Sequence, residues 1–164
     1  MTRLIENGKL ILEDGICEKG AVLVRDGYIE GIFTDTWDLS ADERVDAEGM
    51  FISPGFIDTH IHGGGGYDVM DASYDSLYEI ARVHKKHGCT AFLPTTLTAS
   101  KERIKAAVRS VYDFMNSKHD GARVLGVHLE GPCFNYKYKG AQNPDYLVTP
   151  SIDFLMNLIR VWVL

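Results

Sequence analysis

Apolar and polar positions change rhythm once along this chain, near residue 50. Before that point the apolar residues come in short runs, "KLILED" at 9–14 and "AVLVRDGYIEGIF" at 21–33. The second run is broken by Asp26-Gly27 between stretches rich in Val, Ile and Tyr, which predicts a two-residue hairpin because both turn positions take positive φ. Residues 1–50 therefore read as a small β unit. After residue 50 the period alternates. "FIDTHIH" (56–62) reads as a strand, and "DSLYEIARVHKKHG" (75–88) follows, with Leu77, Ile80, Ala81 and Val83 at helical spacing. That helix should stop at Gly88, after a last turn rich in Lys and His. "CTAFLPTT" (89–96) is a second strand. Ser100 then caps a helix over 101–119 whose Ile104, Ala107, Val108, Val111 and Met115 recur three and four apart, the spacing of one buried face. "ARVLGVHLEG" (122–131) is a third strand, "SIDFLMNLIR" (151–160) a third helix, and "VWVL" (161–164) the start of a fourth strand.

Strict strand–helix alternation predicts an α/β fold with a parallel sheet covered by helices, either doubly wound or closed into a barrel. A (β/α)8 barrel of the TIM type needs about 250 residues. This chain has 164, so 51–164 holds about three βα units and would form an incomplete barrel.

Composition narrows the function. With 45% hydrophobic and 24% charged residues the chain is of the folded globular type. Its net charge of -6, without any Lys/Arg stripe, argues against nucleic acid as a partner. No apolar stretch reaches the roughly 18 residues of a membrane span, and charges interrupt the amino end where a signal peptide needs its apolar core. Cys17, Cys89 and Cys133 are odd in number and far apart, so neither a disulfide framework nor a thiolate zinc site is expected. These features together point to the cytoplasm.

The chemistry-bearing residues sit at strand ends. On a strand, Asp58, His60 and His62 share one face while Ile57, Thr59 and Ile61 share the other. Two imidazoles on one face can aim at a single ion. A His-x-His pair also occurs on ordinary surfaces and in satisfied cores; what favours a metal here is its place at the carboxyl end of a strand, where α/β sites are built. Glu130 ends the third strand on the face it shares with His128. It is either a solvated carboxylate or an oxygen ligand completing a set suited to zinc or a similar divalent ion. His128, one step deeper, reads as a ligand or as a group that orients one. Glycines 63–66 have two readings: a sharp turn needing positive φ, or a bare rim that lets a substrate approach backbone N–H groups. They match neither phosphate-loop nor dinucleotide patterns. Cys133 has no recognisable base partner and reads as packing rather than a nucleophile. His84 and His87 fit a favourable contact with a helix carboxyl terminus, and His119 reads as surface.

Taken together, "SPGFIDTHIHGGGGYDVMD", "FLPTTLTAS", "GVHLEGPCFN" and "KGAQNPDYL" resemble the N-acetylglucosamine-6-phosphate deacetylase family of the amidohydrolase superfamily, over about residues 45 to 150. The resemblance implies a metal-dependent β/α barrel over 51–164, preceded by a small β-sandwich segment over 1–50. It implies that His60 and His62 ligate one metal and Glu130 a neighbouring or shared one, with zinc, iron, manganese or cobalt as the ion and one or two ions per site. It assigns the sugar phosphate to the Ala141 backbone and the Gln142 side chain. Cys133 departs from a bulky apolar residue common in the family. The implied reaction turns N-acetylglucosamine 6-phosphate into glucosamine 6-phosphate and acetate, in amino-sugar catabolism, by a full-length homo-oligomer.

The family's catalytic aspartate and two further metal-binding histidines lie later in its barrel and have no counterpart here. A truncated, frameshifted or shortened product is therefore expected, with open sheet edges, weak metal binding and little turnover. Two other readings stand beside this one. A dihydroorotase-like cyclic-amide hydrolase shares the His-x-His strand, but "KGAQNP" argues against it. A non-catalytic remnant would act only through association.

Overall fold

The computed structural model describes residues 1–34 and 39–159. The "VWVL" strand expected at 161–164 lies outside the described residues. The chain divides into two compact units, Met1–Pro54 and Gly55–Leu164.

The first unit is built from β1 (Thr2–Leu12), β2 (Gly15–Arg25), β3 (Tyr28–Phe33), β4 (Glu43–Asp46) and β5 (Phe51–Ile52). They form one sheet in the order β3-β2-β1-β4, with β5 also pairing β1. The predicted hairpin is present: Arg25 pairs with Tyr28, and Asp26 (φ 50°) and Gly27 (φ 86°) both take positive φ. β1 starts well before the "KLILED" run. Its first half carries few apolar residues and its register slips between Ile5 and Gly8, so the apolar pattern marks only its second half. β4 and β5 run parallel to β1. Phe51 and Ile52, opposite Lys9 and Leu10, belong to this sheet, so the units divide a few residues beyond the change of rhythm. Asp42 ties the chain to β1, its Oδ2 accepting from the Thr2 backbone N–H at 2.6 Å and the Thr2 hydroxyl at 3.0 Å. Leu4, Ala21 and Leu23 form the buried centre. Among the described residues these strands pair into one hydrogen-bonded sheet.

The second unit alternates as expected. β6 (Phe56–Ile61) is followed by a small hairpin of β7 (Gly63–Gly64) and β8 (Tyr67–Asp68), then α1 (Tyr74–Lys86), β9 (Cys89–Pro94), α2 (Lys101–Met115), β10 (Arg123–Val124) and α3 (Ile152–Ile159). β6 and β10 flank β9, both parallel to it. Ser73 and Ser100 cap the two long helices by accepting from the Ser76 and Arg103 N–H groups. α1 ends before Gly88, whose φ is 86°.

α2 buries Ile104, Ala107, Val108, Val111 and Phe114, with Met115 partly buried against the same core. Phe114 is sandwiched between Tyr74, at a ring-centroid distance of 5.2 Å, and His119, stacked at 4.2 Å. His119, expected at the surface, is half-buried: its ring stacks on the core and its Nδ1 is buried. The third strand is shorter than its apolar run. After Val124 the ladder is irregular, yet Leu125 N–H still reaches Phe92 O and His128 N–H reaches Pro94 O, each at 3.0 Å. β6 and β10 are sheet edges among the described residues, and Phe56 and Ile57 on β6 are 68% and 63% exposed. No described helix is long and apolar enough to cross a membrane.

Candidate metal centre

β6 and β10 enter the site from opposite sides of β9, with their carboxyl ends at the same edge of the sheet. The alternation that buries Ile61 turns His60 and His62 to the other face. Glu130 follows the irregular end of the third strand, where His128 still bridges to Thr95. The three predicted ligands meet: His60 Nε2 lies 2.8 Å and His62 Nε2 2.9 Å from Glu130 Oε2, and the two Nε2 atoms are 3.1 Å apart. Among the described residues they form a group able to hold a metal ion.

The chemistry of this donor set fits a cation. His62 Nδ1 lies 3.2 Å from the Thr95 carbonyl oxygen, which can only accept, so Nδ1 carries the proton and Nε2 presents its lone pair to the cluster. Two imidazole nitrogens and a carboxylate oxygen this close are held either by protons shared in hydrogen bonds or by one cation. Tetrahedral zinc with bonds of about 2.0–2.1 Å separates its ligands by about 3.3 Å. The triangle, with sides of 2.8, 2.9 and 3.1 Å, has to open by only about 0.2–0.5 Å to take the ion, a displacement that side-chain rotation supplies. His60 is half exposed and Glu130 about three-quarters buried, so the cluster is open on one side, where a substrate can reach it.

The surroundings orient these ligands. Asp58, expected on the ligand face, turns its carboxylate to its own strand and accepts from the His60 N–H at 3.0 Å. His128 packs edge-on against His60 at 4.7 Å, and its Nδ1 lies 3.4 Å from Thr95 Oγ1, which also accepts from the Ile61 N–H. His128 is an orienting neighbour here, one of the two roles the sequence left open. Ala141 is exposed in the turn before Gln142. Gln142 is engaged at both ends of its amide: Nε2 donates to Glu130 Oε1 at 3.2 Å, and Oε1 accepts from the Thr98 N–H at 3.1 Å. A cavity of about 390 Å³ adjoins the triad, walled by His60, Glu130, Cys133, Phe134, Phe154 and Leu158.

The glycine run is explained by packing. Gly65 (φ 64°) and Gly66 (φ 90°) make the turn of the β7–β8 hairpin. A side chain at Gly63 would overlap the Tyr67 carbonyl, and one at Gly64 would come within 3.1 Å of His84 Nε2. That imidazole, expected to serve the helix terminus, instead reaches the Gly63 carbonyl at 3.3 Å and stacks over Phe92. Thr95 and Thr98, which contact His62 and Gln142 without joining the cluster, carry no individual role in the sequence reading. Their only trace in the sequence is a run of threonines at a strand end, "LPTTLT".

Comparison with known proteins places this geometry in context. The amidohydrolase family model matches residues 51–160. The chain is 36% identical, over 99% of its length, to an N-acetylglucosamine-6-phosphate deacetylase of Lysinibacillus sphaericus. It is 37% identical, over 98% of its length, to an N-acetylgalactosamine-6-phosphate deacetylase of Escherichia coli. It spans 41% of each of these relatives. Its fold is shared with the crystal structure of an N-acetylglucosamine-6-phosphate deacetylase from Pasteurella multocida, with a TM-score of 0.86 at 24% identity, covering 99% of this chain and 42% of that one.

Proposed function

The chain belongs to the amidohydrolase family, and from that premise we propose that it holds a divalent metal on His60, His62 and Glu130 for hydrolysis of the acetamido group of N-acetylglucosamine 6-phosphate. The observation that carries this reading is the meeting of two imidazole Nε2 atoms and one carboxylate oxygen within 3.1 Å at the ends of parallel strands. The names of the two relatives support amino-sugar phosphates as the substrate class, and they differ in the sugar. The architecture that goes with this reading is a β-sandwich segment over 1–50 and part of a β/α barrel over 51–164. The free cysteines suit a cytoplasmic enzyme.

When bound, the ion supplies Lewis-acid polarisation of the acetamido carbonyl and water acidic enough to lose a proton near neutral pH. The residues supply the rest. Thr95 fixes the His62 tautomer, and the adjoining cavity has room for the acyl end of a substrate against its apolar wall. Ala141, exposed in its turn, remains our candidate for a backbone contact to the phosphate. Glu130 and both imidazoles are committed to the ion, so protonating the departing amine falls to a further acid. We expect slow acetate release from this chain on its own.

Zinc-loaded protein should bind one or two ions per chain and release acetate from N-acetylglucosamine 6-phosphate. Release should disappear in Glu130→Gln. Stoichiometric zinc with no acetate above the Glu130→Gln background, from either the glucosamine or the galactosamine substrate, would leave a metal-binding remnant and remove the hydrolase reading.

A further inference from the structure

The sequence resemblance gives Gln142 to the substrate, and its amide also reaches the cluster. A glutamine amide has two N–H donors and two acceptor lone pairs, so it can hold a neighbour at each end and keep capacity for a further partner. Here the N–H side donates to Glu130 Oε1 at 3.2 Å and the C=O side accepts from the Thr98 backbone N–H at 3.1 Å. A backbone N–H can only donate, so it fixes which end of the amide faces Glu130. The orientation is therefore dictated by Thr98, in the segment after β9, and is not a free rotamer choice.

We propose that Gln142 is a positioning residue that holds Glu130 as a single-oxygen metal ligand. With Oε1 tied to the amide N–H, only Oε2 faces the two imidazoles, at 2.8 and 2.9 Å. The segment carrying Gln142 is itself braced. Lys139 Nζ donates to the Gln142 carbonyl at 3.0 Å and to the Gly140 carbonyl at 3.3 Å, closing the turn at Gly140 (φ 59°). On the other side of the cluster Thr95 O holds His62. The segment that follows β9 thus sets both arms of the site, Thr95 through its carbonyl and Thr98 through Gln142, while contributing no ligand. Groups that orient metal ligands in this way typically change affinity by about 10–100-fold when removed.

This inference rests on the metal reading above, and the test separates the two. Zinc affinity of the 164-residue chain is measured by competition with a chromophoric chelator, alongside the visible absorption of the cobalt(II) form and the melting temperature of the metal-free protein. Gln142→Ala should weaken zinc about 10–100-fold. Gln142→Glu keeps the shape and the acceptor for Thr98 but sets a carboxylate against Glu130, and should weaken zinc at least as much. In Gln142→Ala the freed Oε1 can swing onto the ion, so the cobalt absorption should fall as the coordination number rises, a change that loss of a merely structural contact does not produce. Affinity and cobalt spectrum unchanged in both variants, with zinc bound by the parent chain, would overturn this inference alone. A parent chain that binds no zinc would overturn the metal reading and this inference with it.

Discussion

Gly131 follows Glu130 directly and has φ +79°, so replacing it with alanine perturbs the site from behind without touching a ligand. Two costs add. An L-residue in the left-handed region costs about 1–2 kcal/mol. The new methyl would overlap the Thr98 hydroxyl and lie 3.1 Å from Phe134 Cε2 and 3.2 Å from Thr98 Cβ. Thr98 is only 8% exposed and its N–H is committed to Gln142, so it cannot yield cheaply, and overpacking of this kind costs about 1–3 kcal/mol. Gly131→Ala should therefore destabilise the second unit by about 2–5 kcal/mol. Gly140→Ala is the internal control: φ there is +59° and no atom lies within 4 Å of the added methyl, so only the conformational cost of about 1–2 kcal/mol applies. The assay is urea unfolding followed by far-UV circular dichroism, with Thr98→Ala added to complete a double-mutant cycle. A positive coupling between positions 131 and 98 of at least about 1 kcal/mol is expected. Equal losses in the two glycine variants, with no coupling to Thr98, would refute the reasoning.

Two further outcomes follow from the packing and the charge pairs. Phe114→Ala removes a fully buried ring held between Tyr74 and His119 and should cost about 3–5 kcal/mol by urea unfolding; a loss below about 1 kcal/mol would deny Phe114 its place in the core. The Thr2 backbone N–H, and after it the Thr2 hydroxyl, hold the Asp42 carboxyl below the usual range. Its folded pKa is depressed, so its contribution is present above the unfolded value of about 3.9 and is lost as pH falls through the lower folded value. Asp42→Asn should thus be less stable than the parent at neutral pH, with the gap closing in acid; a gap that widens in acid would be the wrong sign.

What could be read from the chain alone follows a physical divide. The two long helices announce themselves because each buries one stripe against the sheet, so Leu77, Ile80, Ile104 and Val108 must recur at helical spacing. The Asp26-Gly27 turn is legible because its backbone demands those residue types. The meeting of His60, His62 and Glu130 is legible once parallel strands are inferred, since the strand period sets the face and the sheet sets the end. What stayed hidden depends on contacts between distant segments. Nothing local marks His119 for Phe114, His84 for the Gly63 carbonyl, or Gln142 for Glu130 and Thr98. The glycine run was ambiguous for the same reason: Gly63 and Gly64 are small because of Tyr67 and His84, which the run itself does not name. The first half of β1 is hard to read because one of its two buried positions is Thr2 rather than an apolar residue, although its register with β2 is regular from Thr2 to Ile5.

The central claim is that one cation sits between His60, His62 and Glu130. X-ray absorption spectroscopy on the zinc-loaded chain tests it most directly, read beside the His62→Ala variant. The account predicts two imidazole nitrogens and one carboxylate oxygen at about 2.0–2.2 Å, with one imidazole lost in His62→Ala. A zinc shell containing thiolate sulfur, or one left unchanged by His62→Ala, would contradict it.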